Sequence, residues 1–187
     1  MKLDAATVKG LIDEYGALQH PVEVVHLIEY LRVDPPKLII EVGVWRGGNA
    51  AILKTYFPQA RFIGVDEMHP SDSRVSDPPS LADNIERFGL EYVIGDTKSE
   101  STVARVKAMI GDEKAGYCFI DASHDTDSVK RDFEMWSPLS HRVGFHDVHN
   151  PMVLQAWMDI CGFMEPGPRT AALWKEMDGH GIGVVLT

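Results

Sequence analysis

Five short apolar segments recur along the middle of the chain, separated by stretches with a different pattern. They read LIIEV, RFIGVD, EYVI, GYCFID and RVGFHD, and they begin at residues 38, 61, 91, 116 and 142. Short runs of this kind, bounded by turn residues, are typical of strands in a parallel sheet that is covered on both faces. The stretches between them carry helix signals. The alternation predicts a doubly wound α/β fold with a mostly parallel sheet.

The two ends of the chain extend this pattern. Residues 3–18 and 21–32 have apolar positions at helical spacing, which predicts two helices before the first strand. Residues 170–176 and 181–186 read as two strands joined by a Met-Asp-Gly-His turn, so we expect an antiparallel hairpin at one edge of the sheet. We interpret residues 1–187 as one domain, with N-terminal helices in 1–34 and an α/β core in 35–187. These helices could pack on the sheet, cover a ligand or mediate dimerisation.

Composition and charge narrow the classes of partner. Charged residues make up 25% and hydrophobic residues 44% of the chain, as in an ordinary globular domain. The net charge of −10 argues against a broad nucleic-acid-binding surface. The first residues lack a basic, apolar leader and no apolar run reaches membrane-spanning length, so we expect a cytoplasmic protein without a membrane partner. Cys118 and Cys161 have no C-x-x-C spacing, and we interpret Cys118 as part of a strand core.

A glycine loop follows the first predicted strand. Glycines at 43, 47 and 48 permit positive φ angles and close approach of a ligand, and Asn49 is predicted to cap a helix over residues 50–57. A strand, a tight turn and a helix N-terminus form a common cradle for a nucleotide, so the fold is predicted to be Rossmann-like. The segment EVGVWRGG does not have the G-x-G-x-x-G spacing of a dinucleotide fingerprint, since an acid stands two residues before its first glycine and bulky residues lie inside the loop. Glu41 would repel a pyrophosphate but could hold a cation. The alternative is a turn that serves only chain reversal.

Asp66 ends the second predicted strand, about twenty residues beyond the glycine loop. Nucleotide-binding α/β folds place at this point a carboxylate that accepts hydrogen bonds from ribose hydroxyls. We therefore predict that Asp66 binds a ribose, although a surface acid at a strand end is the alternative. The polar, proline-containing connection at residues 67–80 is then either a flap over the cofactor or a disordered loop.

All five predicted parallel strands end in or next to an acid. In open parallel sheets, ligands bind outside the carboxyl ends of the strands, so these side chains should meet at one rim. Chance placement is the alternative, because acids are abundant here and strand ends are polar. The five residues are Glu41, Asp66, Asp96, Asp121 and Asp147.

The fourth and fifth strands carry histidines beside their acids. Adjacent strands would bring Asp121 and Asp147 together, and two carboxylates at short range need a cation or a proton between them. A hard divalent ion would meet this need. His124 would face the same opening and could take a proton from a substrate hydroxyl. His146 and His149 could instead form hydrogen bonds with neighbouring backbone.

Two motifs carry a resemblance to a known family. Glu41, Gly43 and Gly47 match the (D/E)-x-G-x-x-x-G motif of class I S-adenosylmethionine-dependent methyltransferases. An I-D-x-x-H segment at 120–124, followed by a helix and a strand that ends in His-Asp, resembles the small-molecule O-methyltransferases of the macrocin O-methyltransferase and cephalosporin hydroxylase-like group. The resemblance covers most of residues 36–150.

The resemblance implies roles for particular residues in binding S-adenosylmethionine. Glu41 would lie near the methionine end of the cofactor, and Gly43, Trp45 and Gly47 would belong to the loop that wraps it. The corner after the third strand would meet the adenine, with Asp96 accepting from its amino group. Capping of the next helix by Thr97 or Ser99 is the other explanation for that corner. The cofactor-binding residues are predicted as Glu41, Gly43, Trp45, Gly47, Asp66, Asp96 and Asp121.

The resemblance also implies the catalytic apparatus. Asp121 and Asp147 would hold a divalent ion, expected to be magnesium, and His124 would act as the base. His146 stands where some relatives carry an acid, and we include it among the metal ligands. Histidine is a better ligand for zinc, iron or nickel than for magnesium.

The sequence thus predicts an S-adenosylmethionine-dependent, metal-assisted O-methyltransferase for a small hydroxylated molecule, acting as a monomer or homo-oligomer. Its catalytic residues are predicted as His124 and Asp121, and its metal ligands as Asp121, His146 and Asp147. One alternative is an NAD(P)-dependent oxidoreductase, because those enzymes also carry an acid at the end of the second strand. The other is a nucleotide-binding module without catalysis.

Overall fold

The structure is a computed structural model that describes residues 2–68, 79–162 and 171–187. Most of the connection at 67–80, predicted as a flap or a disordered loop, lies outside the described residues. The helices are α1 (Ala5–Tyr15), α2 (Pro21–Val33), α3 (Gly48–Tyr56), α4 (Leu81–Phe88), α5 (Glu100–Ile110), α6 (Thr126–Trp136) and α7 (Pro151–Cys161). The strands are β1 (Leu38–Val42), β2 (Arg61–Asp66), β3 (Glu91–Ile94), β4 (Tyr117–Ile120), β5 (Arg142–Phe145), β6 (Ala171–Trp174) and β7 (Ile182–Leu186).

The strands form one sheet in the order β3-β2-β1-β4-β5-β7-β6. The first five strands run parallel, and β7 pairs antiparallel with both β5 and β6. This confirms the predicted α/β fold with its antiparallel C-terminal hairpin. The strand order reverses between β1 and β4, and the crevice at such a point is where open α/β sheets bind ligands.

The sheet is covered on both faces, as its apolar strands require. In β1, Leu38, Ile40 and Val42 pack into a cluster that includes residues of α5, α6 and α7. Ile39 points to the other face, where it joins residues of α1, α2 and α3. The alternation places Glu41 on the same side as Ile39. Cys118 is buried in the first cluster, as predicted for a strand residue.

The two N-terminal helices pack against one face of the sheet. Val8 of α1 and Leu27 of α2 are fully buried in the cluster that contains Phe119 of β4. Helix α1 is shorter than the predicted 3–18, because Gly16 adopts a left-handed conformation and ends it. Within the described part of the chain, no helix has the length and hydrophobicity that a membrane crossing needs.

Candidate active site

The glycine loop begins where β1 meets β4. Gly43 has a φ of +88°, and a Cβ added there would lie 2.3 Å from the backbone oxygen of Asp121. The N–H of Asp121 donates to the carbonyl of Val42 at 2.8 Å, so the two strand ends are held in contact. Gly47 also has a positive φ, of +75°. The predicted use of glycine for unusual backbone angles is therefore confirmed at both positions.

Gly48 serves a different purpose. It lies within α3, and a Cβ there would come 2.6 Å from the backbone nitrogen of Ala17. The close approach brings the segment after α1 against the start of α3. The prediction that Asn49 caps α3 is wrong, because Gly47 occupies the cap position and Asn49 lies in the first turn. Its side chain donates instead to Glu41 Oε1, at 2.8 Å.

Glu41 is the most deeply buried acid of the rim, with an exposed fraction of 1%. Burial raises its pKa to about 8, and the charges of Asp121 and Asp66 add to the rise although the hydrogen bond from Asn49 opposes it. Among the described residues, Oε2 of Glu41 has no hydrogen-bond partner. The carboxyl group is thus available to a ligand that enters beside β1.

Asp66 forms hydrogen bonds with the backbone of the glycine loop. Its Oδ2 accepts from the backbone N–H groups of Val44 and Trp45, at 2.8 and 2.9 Å, and its Oδ1 accepts from the N–H of Met68 at 3.0 Å. Trp45 has a φ of +48°, a left-handed conformation that is rare for a bulky residue. The structure therefore joins the end of β2 to the loop after β1 through one carboxylate.

The corner after β3 is built by local hydrogen bonds. Asp96 accepts from the backbone N–H of Lys98 at 2.9 Å, and its side chain is about half exposed. Ser99 occupies the cap position of α5, but its side chain makes no capping hydrogen bond. Thr97 is buried, and its carbonyl accepts from the indole of Trp136 at 3.0 Å. Neither proposed capping side chain therefore accounts for this corner.

Two predicted metal ligands, Asp121 and Asp147, meet at His146. Nδ1 of His146 lies 3.1 Å from Asp121 Oδ1 and 3.3 Å from Asp147 Oδ2. His124 Nε2 lies 2.7 Å from the same oxygen of Asp147. The structure thus brings together the residues predicted from the fourth and fifth strands. His149 instead contacts the backbone carbonyl of Gly179 through its ring, as the structural alternative proposed.

A third histidine, His180, reaches this group from the turn between β6 and β7. Its Nδ1 lies 3.0 Å from Asp147 Oδ1. We call the set of Asp121, His124, His146, Asp147 and His180 the histidine corner. From the sequence, residues 177–180 are predicted only as a hairpin turn. The available signal was the predicted antiparallel hairpin itself, because a last strand beside β5 carries its preceding turn to the carboxyl end of β5.

The charges of this corner shift two pKa values in opposite directions. Burial lowers the pKa of His146, but the carboxylates of Asp121 and Asp147 outweigh it and raise the pKa to about 10. Burial would raise the pKa of Asp147, yet the hydrogen bond and charge of His146, with the charges of His124 and His180, hold it well below its usual range. Asp147 also has a φ of +56°, and such strained backbone is common at functional sites.

One pocket of about 480 Å³ connects the glycine loop with the histidine corner. Its volume is within the range of small-molecule sites. Of the predicted site residues, Gly47 and Asp96 are not among those that line it. Gln19 and Lys98 line it without having been predicted, because their places depend on how distant segments pack. The predicted residues that line the pocket are Glu41, Gly43, Trp45, Asp66, Asp121, His124, His146 and Asp147.

Solved structures with the same fold include several O-methyltransferases. An O-methyltransferase from Bacillus cereus, in complex with S-adenosylhomocysteine, has a TM-score of 0.67 and 17% identity over 98% of this chain and 89% of that chain. TomG of Streptomyces achromogenes, an O-methyltransferase of tomaymycin synthesis solved with S-adenosylmethionine, has a TM-score of 0.64 and 15% identity over 99% of this chain and 90% of its own. CalS11, a TDP-rhamnose 3′-O-methyltransferase of calicheamicin biosynthesis, has a TM-score of 0.61 and 16% identity over 98% and 81% of the two chains.

The sequence itself gives the family. Comparison with curated protein sequences yields no match. The family model for rhamnosyl O-methyltransferase/CmcI proteins matches residues 14–156. This range contains the glycine loop and the ends of β4 and β5, where the aspartates and histidines of the pocket lie. Because this match spans most of the chain, the protein belongs to the rhamnosyl O-methyltransferase/CmcI family of S-adenosylmethionine-dependent O-methyltransferases.

Proposed function

We propose that the protein transfers a methyl group from S-adenosylmethionine to a hydroxyl oxygen of a small molecule, with help from a divalent ion. The observation that supports this most directly is the single pocket shared by the glycine loop and the histidine corner. A methyl donor and its acceptor must lie in contact for in-line transfer, so a shared pocket is what the reaction needs.

The cofactor half of the pocket is assigned to the glycine-loop side. Asp66 would accept from the ribose hydroxyls, since its Oδ1 accepts one hydrogen bond from the described residues and a carboxylate oxygen can accept a second. Glu41 would lie near the methionine end, where its unpartnered oxygen can accept from an ammonium group. We retain Gly43, Trp45, Gly47 and Asp96 as proposed cofactor contacts on the strength of the motif.

The histidine corner would hold the ion. The Nδ1 of His146 lies 3.1 Å from Asp121 Oδ1 and 3.3 Å from Asp147 Oδ2. Neighbouring ligands of an ion with bonds of about 2.1 Å are separated by a similar distance, about 3 Å. An ion bound there would lower the pKa of the acceptor hydroxyl. Two carboxylates suit magnesium, whereas the buried imidazole of His146 suits it poorly.

His124 is proposed as the base. It is half exposed at the pocket, and Asp147 lies 2.7 Å from its Nε2, so the carboxylate can orient the ring. His124 would take the proton of the acceptor hydroxyl as the bond between sulfur and methyl carbon breaks and the bond between oxygen and that carbon forms. The products are the methyl ether, S-adenosylhomocysteine and a protonated His124.

The acceptor is proposed to be a hydroxylated small molecule, with sugars as the first candidates. The family is named for rhamnosyl O-methyltransferases, and CalS11 is described as acting on TDP-rhamnose. The net charge of −10 supports the expectation that nucleic acid is not a partner. A cytoplasmic location and a homo-oligomeric state stay predictions.

The proposal is tested by separating cofactor binding from methyl transfer. Calorimetry with S-adenosylhomocysteine should show binding, and Asp66→Asn should weaken it at least about tenfold by removing a charged acceptor. Labelled S-adenosylmethionine should methylate members of a panel of sugars, phenols and hydroxy acids. In His124→Gln, turnover should fall about 10²-fold or more while S-adenosylhomocysteine affinity stays within about twofold.

His26→Gln provides the matched control, because this histidine is partly exposed on α2 and does not line the pocket. It should leave both binding and turnover unchanged. Binding of NAD in place of S-adenosylhomocysteine would favour the oxidoreductase alternative. Cofactor binding without turnover on the whole panel would favour the module without catalysis.

A further inference from the structure

We propose that His180 joins His146 and Asp147 in a site for a first-row transition ion such as Zn²⁺ or Co²⁺, rather than for Mg²⁺. This specifies the ion and so rests on the metal-assisted part of the proposed function. In this set His180, from the C-terminal hairpin, takes the place that the proposed function gives to Asp121.

The distances agree with ligands that surround one ion. The ligand atoms of His146, Asp147 and His180 all lie within 4.8 Å of one another. One oxygen of Asp147 is 3.0 Å from His180 Nδ1, and the other is 3.3 Å from His146 Nδ1. Neighbouring ligands of a tetrahedral or octahedral ion with bonds of about 2.1 Å are separated by about 3 to 3.5 Å.

The chemistry of the donors selects the kind of ion. Two imidazoles and one carboxylate are the protein ligands of many catalytic zinc sites and of the facial triad that binds iron. Mg²⁺ prefers oxygen ligands in near-ideal octahedral geometry and keeps several waters. With His180 as a ligand, the set contains two imidazole nitrogens and one carboxylate, instead of one imidazole nitrogen and two carboxylates.

The turn that carries His180 is held in place from two sides. The carboxylate of Glu23, fully buried in α2, accepts from the backbone N–H groups of Glu176 and Gly181, each at 3.0 Å. The backbone N–H of His149 donates to the carbonyl of His180 at 2.8 Å. Because these bonds fix the chain next to His180, its imidazole is presented to Asp147 by a fixed turn.

The site also has the openness that a catalytic ion needs. His146 is 95% buried, whereas His180 is half exposed and lines the pocket together with Asp147. The protein can thus supply three ligands from the wall and leave the pocket side for water or an acceptor hydroxyl. Catalytic zinc sites share this design, with three protein ligands and an open position.

The test is titration of chelator-treated protein with Co²⁺, Zn²⁺ or Mg²⁺, followed by calorimetry and by the visible absorption of Co²⁺. Wild-type protein should bind Co²⁺ and Zn²⁺ at least about tenfold more tightly than Mg²⁺. His180→Gln should weaken Co²⁺ and Zn²⁺ binding at least about tenfold and change the Co²⁺ spectrum. His26→Gln should match the wild type in both respects, and unchanged binding of S-adenosylhomocysteine by His180→Gln would show that this variant is folded.

Two results would overturn the inference: tighter binding of Mg²⁺ than of Co²⁺ and Zn²⁺, or a Co²⁺ spectrum and affinity that His180→Gln leaves unchanged. Failure of the proposed function gives a different outcome. If no acceptor is methylated but Co²⁺ binding still requires His180, the metal site stands and the proposed reaction falls. If methyl transfer continues at full rate after chelation and Co²⁺ binding does not require His180, the reaction stands and the site falls.

Discussion

The two sides of the pocket are assembled in different ways. The glycine-loop side is built from β1, α3 and β2, which follow one another in the chain, and Asp66 holds its loop through backbone N–H groups. The histidine corner joins the ends of β4 and β5 to a turn near the chain's end, and its contacts run between side chains. The glycine-loop side therefore depends on local backbone geometry. The histidine corner depends on how segments that are distant in the chain pack together.

The largest effect is expected from Gly43→Ala on the glycine-loop side. The new Cβ would come 2.3 Å from the backbone oxygen of Asp121, which cannot move aside as a flexible side chain can. The free energy of unfolding should fall by at least about 3 kcal/mol, as measured by urea denaturation. Binding of S-adenosylhomocysteine should be lost as well.

Gly89→Ala is the matched control for this variant. Gly89 also has a positive φ, of +61°, but a Cβ there would meet no atom of the described residues within 4 Å. It should cost about 1 to 2 kcal/mol from backbone strain alone. Equal losses in the two variants would show that strain, and not contact between β1 and β4, makes Gly43 necessary.

A smaller effect is expected from Glu23→Gln, which acts on the histidine corner from a distance. The amide oxygen can keep the place of Oε1, but the amide nitrogen would then take the place of Oε2 and put donor hydrogens against the N–H of Gly181, at a cost of about 1 to 3 kcal/mol. Hydrogen exchange should speed up at Gly181 but remain unchanged in β1. Glu29→Gln, an exposed change on the same helix, should stay within about 0.5 kcal/mol of the wild type.

If Glu23→Gln left exchange at Gly181 unaltered, the turn would be held by its other contacts. The histidine corner would then not depend on the remote contact with Glu23, and in this respect it would not differ from the glycine-loop side.

The smallest effect, when measured over any one pH unit, is expected in the pH dependence of stability, through Glu41. Its pKa is about 8 in the folded protein against a usual 4.5, so folding takes up a proton between these pH values. The free energy of unfolding should therefore fall as the pH rises through this window, by at most about 1.4 kcal/mol per pH unit for one group.

Glu41→Gln cannot titrate and should remove this contribution, so its stability should fall less steeply between pH 5 and 8, as followed by urea denaturation at several pH values. Glu29→Gln should keep the wild-type slope. Identical slopes for Glu41→Gln and the wild type would mean that Glu41 is already ionised in the folded protein at neutral pH.

The elements of the fold could be predicted because each strand is an apolar run with its own boundaries. The same patterns placed the acids correctly at strand ends, since parallel strands leave their carboxyl ends at one rim. The start of α3 was predicted wrongly because both Gly47 and Asn49 can occupy a helix cap, and the pattern alone could not show that the Asn49 amide is needed by Glu41.

His180 and Gln19 could not be predicted as pocket residues from local patterns. Their positions follow from the packing of the hairpin beside β5 and of α1 against α3, and neither is encoded in the residues next to them. His124, in contrast, was predicted because it follows Asp121 by three residues at the end of a recognisable strand.

The place of β7 inside the sheet has a consequence for biosynthesis. Because β7 pairs with β5 and separates it from β6, the hairpin of β6 and β7 must be synthesised before β5 gains its second neighbour. The glycine loop precedes this hairpin in the chain, whereas the histidine corner is complete only once the hairpin has been made. A chain that stopped before residue 171 would keep the glycine loop and lack the turn that carries His180.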